Sequence, residues 1–462
     1  MNTASIAAVS PAVIESLIEA VGNEQVELDP ATRAKASRDD YTMSPILVND
    51  LPATVADVVV YPRDADDVVA VMRIAVRERV AVTPRGKGTG NYGQAVPLAA
   101  GIVLDFTRMD RVLELGEGSV TAQAGARVID LERKAALDGQ QLWMYPSTVQ
   151  STIGGFIGGG SGGTGSIANG SNAAGFVVAL DVVHAVDEPR VLHIEGDEVI
   201  PYIHAYGLTG VIVAATVRLE PLQDWRALYA SFDRLEDAFE LVREVPKLVP
   251  PPRLVSADEA GMNVAFPKDD AVPAGRASFR AILDARTVEE VSARVAAAGG
   301  RVEAVREGIP AMARMSGLSY NHPSWFLIHS NPGGWFHIES GGEALIDRFE
   351  EVKAVYPGAL IHLEGNRPET HGMITAPFSS KQETMAGLDA LDALGVGFHN
   401  PHQWYIDRNV DALRALAATS DPYGLLNPGH WPGPDAPISS NFAQQARRAL
   451  MEGVTVGAPE AH

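Results

Sequence analysis

The chain has 462 residues, 46% of them apolar and 21% charged, and a formal net charge of −21. That length allows two or three domains with cores of their own, and a surface so negative repels phosphate backbones and anionic lipid, which argues against nucleic acid and membrane-surface partners. The absence of cysteine excludes disulfides, thiolate chemistry and cysteine-ligated metal centres.

No window is apolar enough for a membrane helix. The stretch 1–21 has no basic region and carries Glu15 and Glu19, so neither a secretory signal nor a transit peptide is expected, and a cytoplasmic location is. Residues 13–20 have helical spacing, with Val13, Ile14, Leu17 and Ile18 on one side. The polar segment 32–41 reads either as a solvated linker or as a wrap in which Arg38-Asp39-Asp40-Tyr41 packs near a glycine-rich loop. Residues 1–50 form an N-terminal helical extension.

A first domain is expected at 51–222. Its helix 66–79 carries a stripe of Val68, Val69, Met72, Ala75 and Val76. Strands are predicted at 80–83, 101–105, 111–115 and 119–124, then helix 128–138 stopped by Gly139, then strands 177–185, 190–194 and 211–219. Short strands around few helices indicate an α+β domain rather than a doubly wound sheet. In a second domain, 223–394, strands 276–283, 325–329 and 360–363 alternate with helices 287–298, 342–356 and 381–394, which predicts a sheet covered on one face. The segment 395–462 returns to the first domain through 397–402, a helix at 410–418 and a turn at 421–429, and ends in a helix at 441–451.

The loop from Thr83 to Gln94 carries Gly86, Gly88, Gly90 and Gly93. Glycine-rich backbone can converge its N–H groups on an anion, with Arg85 or Lys87 adding charge, and a pyrophosphate suits it. A Walker loop needs Ser or Thr directly after Gly-Lys, where Gly88 stands, and the spacing does not fit the dinucleotide fingerprint.

Four segments follow one another in a telling order: Pro84-Arg85-Gly86-Lys87-Gly88-Thr89-Gly90; Tyr145-Pro146-Ser147-Thr148 with Thr152-Ile153-Gly154-Gly155 and Gly162-Gly163-Thr164-Gly165-Ser166; Gly207-Leu208-Thr209-Gly210-Val211-Ile212; and Asp421-Pro422-Tyr423-Gly424-Leu425-Leu426-Asn427-Pro428-Gly429. Together they resemble the FAD-binding domain of the vanillyl-alcohol oxidase and p-cresol methylhydroxylase (PCMH) superfamily, including its glycolate-oxidase and D-lactate-dehydrogenase members. The resemblance implies FAD as cofactor, a PCMH-type domain at 51–222 and an α+β cap domain at 223–394. It puts the pyrophosphate on the backbone of Arg85, Gly86, Lys87, Gly88, Thr89 and Gly90, with Thr89 and Asn91 as side-chain donors. Gly154, Gly155, Gly162, Thr164 and Ser166 would line the isoalloxazine and ribityl chain and Ile212 would hold the adenine side, with Pro84, Pro146, Ser147, Thr148, Thr152, Gly210 and Asn427 as further cofactor-binding residues. Thr89 stands where relatives with covalent flavin carry histidine, so the FAD is expected to be non-covalent, His430 being the alternative attachment point.

In such enzymes the flavin takes a hydride and the protein supplies a base and a fixed geometry. The expected base is His402 or His399, with Tyr405 orienting the substrate hydroxyl and Arg408 clamping an anion; the plain alternative is a buried turn at Asn400-Pro401-His402. A second cluster holds His329, His337, Glu339, His362, Glu364, Arg367 and His371. No metal is expected, although His362, Glu364 and His371 are the set a cation would use. Trp325, Phe326, Trp335, Phe336 and Trp404 could form an aryl-binding wall but read mainly as core. The resemblance implies an FAD-dependent oxidoreductase acting on a small alcohol or 2-hydroxy acid, with oxygen or another acceptor reoxidising the flavin. The alternatives are oxidation of a phenolic alcohol or alkylphenol and a non-redox FAD-dependent synthase. A homodimer through the cap is common among relatives and unreadable in this chain.

Overall fold

The structure, a computed structural model, describes residues 6–434, 436 and 439–445. Three sheets carry the fold. The first orders its strands Val26–Glu27, Val58–Val60, Ile102–Asp105 and Val82–Arg85, antiparallel at the first pair and parallel at the other two. Its central strands are continuous apolar runs, as burial on both faces requires. Helix Ala65–Glu78 covers it. Asp64 caps the first turn by accepting from Asp67 N, and Arg79 ends the helix in a left-handed conformation. The buried stripe runs through Val68, Val71, Met72, Ile74, Ala75 and Val76, so Val71 and Ile74 replace the expected Val69.

The second sheet is antiparallel. Val112–Gly116, Ser119–Gln123, Val211–Pro221, Val177–Val183 and Val191–Glu195 follow in order, and Gln140–Leu142 pairs with the far end of Val211–Pro221. It shares one apolar core with the first sheet. The domain is α+β, as the sequence predicts.

The third sheet has eight antiparallel strands in the order Arg301–Glu307, Trp225–Phe232, Ala277–Asp284, Leu254–Asp258, Leu360–Glu364, His371–Pro377, Trp335–Gly341 and Gly397–His399. Helices Phe239–Glu244, Val288–Ala297, Phe349–Val355 and Lys381–Ala393 pack on one face, burying Phe279, Ile338, Leu363 and Phe398 beneath them. On the opposite face Ile309–Ser316 covers the end around Tyr229 and Ile282. The rest of that face is polar and looks toward the glycine loops.

Two predicted elements need correction. Residues 325–329 are not a strand but part of helix His322–Ser330: a short apolar run has no period to tell the two apart, and Pro323 suits a first helical turn. The expected helix 342–356 is two helices, Ala344–Asp347 and Phe349–Val355, broken at Arg348, whose φ of −122° and ψ of 32° are not helical. The chain after residue 395 contributes the last strand of the third sheet, then helix Val410–Ser420, then a return to the first sheet where Asn427 N donates to Val82 O. The expected helix at 441–451 lies largely outside the described residues. Among the described residues no helix is long and apolar enough to cross a membrane.

Candidate functional site

A cavity of about 1600 Å³ separates the glycine loops from the polar face of the third sheet. On the loop side, Val82–Arg85 delivers the chain into the first glycine turn, and Arg85 Nη1 donates to Asp105 Oδ2 at 3.1 Å. The segment after helix Pro30–Ala36 wraps this turn: Asp40 N donates to Gly90 O at 2.7 Å and Arg85 Nη2 to Arg38 O at 3.3 Å. The packed wrap, rather than the solvated linker, is what forms.

Two of the glycines leave no room for a Cβ. A Cβ on Gly86 would lie 2.1 Å from Thr152 Oγ1, which itself accepts from Gly155 N, and a Cβ on Gly154 would lie 2.9 Å from Ala124 O. The two glycine blocks therefore touch, and both present backbone to the cavity. Among the described residues the N–H groups of 87–91 donate to no protein acceptor, and Arg85 and Lys87 flank them. That donor set suits the pyrophosphate of FAD, and the cavity has room for the rest of the cofactor.

Of the expected cofactor residues, Pro84 through Asn91, Pro146, Ser147, Thr148, Thr152, Gly154, Gly155, Gly162, Ser166, Gly210 and Ile212 all line this cavity. Thr164 and Asn427 do not and are corrected to supporting roles. Thr164 Oγ1 is buried against Ser316 Oγ at 2.8 Å. Asn427 is also buried, and its Nδ2 donates to Gln94 O and Tyr206 O, both at 2.8 Å, which pins the first loop from behind. His430 is buried with its nitrogens at Asn427 O and Gly93 O, away from the cavity.

The opposite wall is built by strand register. Cross-strand partners share a face of a sheet. One row runs Ser278, Asp258, His362, Met373, Glu339, His399, and the adjacent row runs Arg280, Ser256, Glu364, His371, Gly341, Gly397. All these residues face away from the helix-covered side.

His399 lines the cavity with Nδ1 3.0 Å from Glu339 Oε2 and Nε2 2.9 Å from Asp407 Oδ2. Burial disfavours its cation, but the hydrogen bonds to Asp407 and Glu339 outweigh burial and push its pKa up to about 9. Burial alone would raise Asp407; the His399 bond and the nearby Arg408 hold it well below the usual carboxylate range instead. Both ring nitrogens of His399 are thus taken up by carboxylates, an arrangement that favours the cation. The base expected at His399 therefore has neither ring nitrogen open to the cavity.

His402 is corrected as well. It is buried outside the cavity, with Nδ1 2.7 Å from Ser44 Oγ and its ring beside Phe336 and His337, and burial drives its pKa well below the ordinary value. The buried-turn alternative describes it. Tyr405 does not line the cavity and packs edge-on to Trp404. Arg408 does line the cavity.

The sequence reasoning missed Tyr92, whose hydroxyl donates to Glu339 Oε1, and Asn321, which donates to the same oxygen at 3.4 Å. Tyr92 stands inside the glycine loop, the one aromatic in a run of small residues, and that was its signal. Trp325 and Phe326 line the cavity, with Trp325 Nε1 bonded to Asp40 in the wrap. His362 does not face a cation: Nδ1 lies 2.7 Å from Asp258 Oδ1 and Nε2 2.5 Å from Glu364 Oε1. Among the described residues no group of three or more ligating side chains converges on a metal position.

Fold and cradle define a flavoprotein of the PCMH type. Residues 56–189 match the family model of an FAD binding domain. The chain is 29% identical over 209 residues to the glycolate oxidase subunit GlcD of Bacillus subtilis, 42% of this chain and 44% of that protein. It is 30% identical over 219 residues to a D-lactate dehydrogenase of Archaeoglobus fulgidus, 45% of this chain and 48% of that one. The matches thus span somewhat less than half the length of these curated relatives. Among solved structures, an alkyldihydroxyacetonephosphate synthase superposes with a TM-score of 0.73 at 15% identity, over 93% of this chain and 88% of that one, a likeness of fold. The chain carries an FAD-binding domain over residues 56–189, and it is similar in sequence to FAD-linked oxidases.

Proposed function

We propose that this protein is an FAD-dependent oxidoreductase that dehydrogenates a small alcohol or 2-hydroxy acid. One observation carries the reading: a single cavity has the FAD-binding glycine loops as one wall and the Glu339–His399–Asp407 chain, with Arg408, as the other. FAD supplies the hydride acceptor when bound. The chain's own task is to take the hydroxyl proton and hold the donor carbon in place. Glu339 is the acceptor in this reading. Its side chain is 20% exposed to the cavity, and its two oxygens are steered by His399 on one side and Tyr92 and Asn321 on the other. His399 is a positioning cation that balances Glu339 and Asp407. Arg408 pairs with an anionic substituent. The dissociable FAD, the reoxidation by oxygen or another acceptor, and a cytoplasmic site of action are parts of the same proposal.

Mixing the yellow protein anaerobically with 2-hydroxy acids, polyols, primary alcohols and phenolic alcohols tests it through the flavin absorbance. One class should bleach the flavin, and Glu339→Gln should slow that bleaching by at least 10²-fold, the usual contribution of a general base. Bleaching unaffected by Glu339→Gln removes Glu339 from the role. A flavin that dithionite reduces and no donor does favours a non-redox synthase. Trp325 and Phe326, 5.2 Å apart and near perpendicular in the cavity wall, favour the phenolic class as the second reading.

A further inference from the structure

The polar face of the third sheet carries a second buried charge chain, two strands away from Glu339, that the proposed chemistry does not use. Arg280, fully buried, donates to Asp258 Oδ2 at 2.5 Å; Asp258 Oδ1 meets His362 Nδ1 at 2.7 Å; His362 Nε2 meets Glu364 Oε1 at 2.5 Å. Burial alone would depress the imidazole, but Asp258 and Glu364 raise its pKa to about 9, so the chain is positive, negative, positive, negative from core to cavity. Glu364 Oε1 also accepts from Tyr320 N at 2.6 Å. Both contacts therefore fall on Oε1. Glu364 is only 6% exposed yet lines the cavity, and among the described residues Oε2 has no protein partner. Three buried ionic groups in line, together with Tyr320 N, fix one oxygen of the Glu364 carboxylate at the cavity wall, and burying such a chain carries a desolvation cost.

We propose that Glu364 Oε2 is a fixed hydrogen-bond acceptor for a hydroxyl of the substrate, remote from the reacting carbon, and that the substrate is a polyhydroxylated chain of at least four carbons. The register gives the length. Glu364 and Glu339 lie two strands apart and one side-chain repeat along, roughly 12 Å between backbone positions at about 4.8 Å per strand and about 6.7 Å per repeat. A hydrogen bond of about 2.8 Å at each end leaves roughly 6 Å between the two hydroxyl oxygens, the extended span of a four-carbon unit, so the two bonded hydroxyls stand on carbons three bonds apart. The wall between them offers His371 and the side chain of Met373, and Trp325 and Phe326 supply apolar surface for C–H faces. A carboxylate at the far end selects an O–H donor there and repels a second acid group. The inference rests on the oxidoreductase reading for which carbon reacts, not for the existence of the subsite.

The test is calorimetric titration of the oxidised, FAD-loaded protein with ethylene glycol, a tetritol and a hexitol, and with glycolate, for wild type and Glu364→Gln. Glutamine keeps an Oε1 for His362 and Tyr320 N but turns an amide N–H₂ toward the cavity. Wild type should bind the tetritol and the hexitol more tightly than ethylene glycol, and Glu364→Gln should weaken both roughly 10- to 100-fold, as loss of a hydrogen bond to a charged group does, with glycolate affinity unchanged. Flavin absorbance and melting temperature report whether the variant is folded. If it is not, the wild-type series decides alone: no gain from two to six carbons overturns the proposal, as does equal hexitol affinity in both proteins. Hexitol binding that depends on Glu364 while no donor bleaches the flavin leaves the subsite standing and removes the oxidoreductase reading.

Discussion

Replacing His399 by glutamine should destabilise the protein in a pH-dependent way that the structure fixes in sign and size. In the folded protein the His399 cation is held by Asp407 and Glu339, with a pKa of about 9 against an ordinary 6.5. A raised folded pKa stabilises the fold fully below the unfolded value, here pH 6.5, and that stabilisation is lost as pH rises through 9. A gap of about 2.5 pH units at 1.36 kcal/mol each is roughly 3 kcal/mol. The independent estimate agrees: removing one partner of a buried pair costs about 3–5 kcal/mol, and Asp407 would keep only Gln403 Nε2 at 3.0 Å. Equilibrium unfolding in guanidinium at pH 6 and at pH 10, on FAD-loaded wild type and His399→Gln, measures this. The difference between the two proteins should be about 3 kcal/mol at pH 6 and close to zero at pH 10. A difference that is the same at both pH values would refute a cationic His399 and return it to the role of neutral base.

Other predictions follow from single contacts. Arg253 and Glu132, with side chains only 3% and 5% exposed, pair at 2.6 Å and tie helix Val128–Leu137 to the start of strand Leu254–Asp258; Arg253→Met should lower unfolding free energy by about 3–5 kcal/mol, read from the guanidinium midpoint. Gly86→Ala forces a methyl against Thr152 Oγ1 and should weaken FAD at least about 10-fold, measured by flavin fluorescence on titrating apoprotein. With no histidine in the first loop and His430 engaged by two backbone carbonyls, acid precipitation should release all of the FAD into the supernatant, and yellow colour in the pellet would contradict a non-covalent cofactor. Asp40→Ala removes the acceptor shared by Trp325 Nε1 and His329 Nε2; the cap helix should then loosen from the wrap, seen as faster amide exchange over His322–Ser330 with little change elsewhere.

Much of the cofactor side was legible because its requirements are local. A backbone that must approach a pyrophosphate needs glycine at set positions whatever surrounds it, so the loops from Pro84 to Asn91 and from Thr152 to Ser166 announce themselves in one dimension. The absence of histidine at Thr89 is legible for the same reason. The parallel strands Val58–Val60 and Ile102–Asp105 read as apolar runs because both faces are covered. The cap was harder. Strand Trp225–Phe232 is buried almost throughout and gives no alternation, while Arg301–Glu307 lies at the sheet edge and is mostly polar, so neither shows the period of two that marks a half-buried strand.

The substrate wall depended on register. His362-Leu363-Glu364 and His337-Ile338-Glu339 do alternate, and that pattern places their polar members on one face. Nothing in the sequence aligns Glu339 with His399, 60 residues away, or adds Asp407 on the other ring nitrogen. His399 and His402 look equivalent in sequence, three residues apart in one polar segment. Strand pairing turns the first into the cavity between two carboxylates, and the chain's departure from the sheet buries the second beside Ser44. The sequence by itself determined the cofactor, because a glycine cradle is a property of neighbouring residues. The ionisation state and use of each polar side chain were decided by tertiary structure alone, because a pKa depends on charges and burial that distant strands bring together.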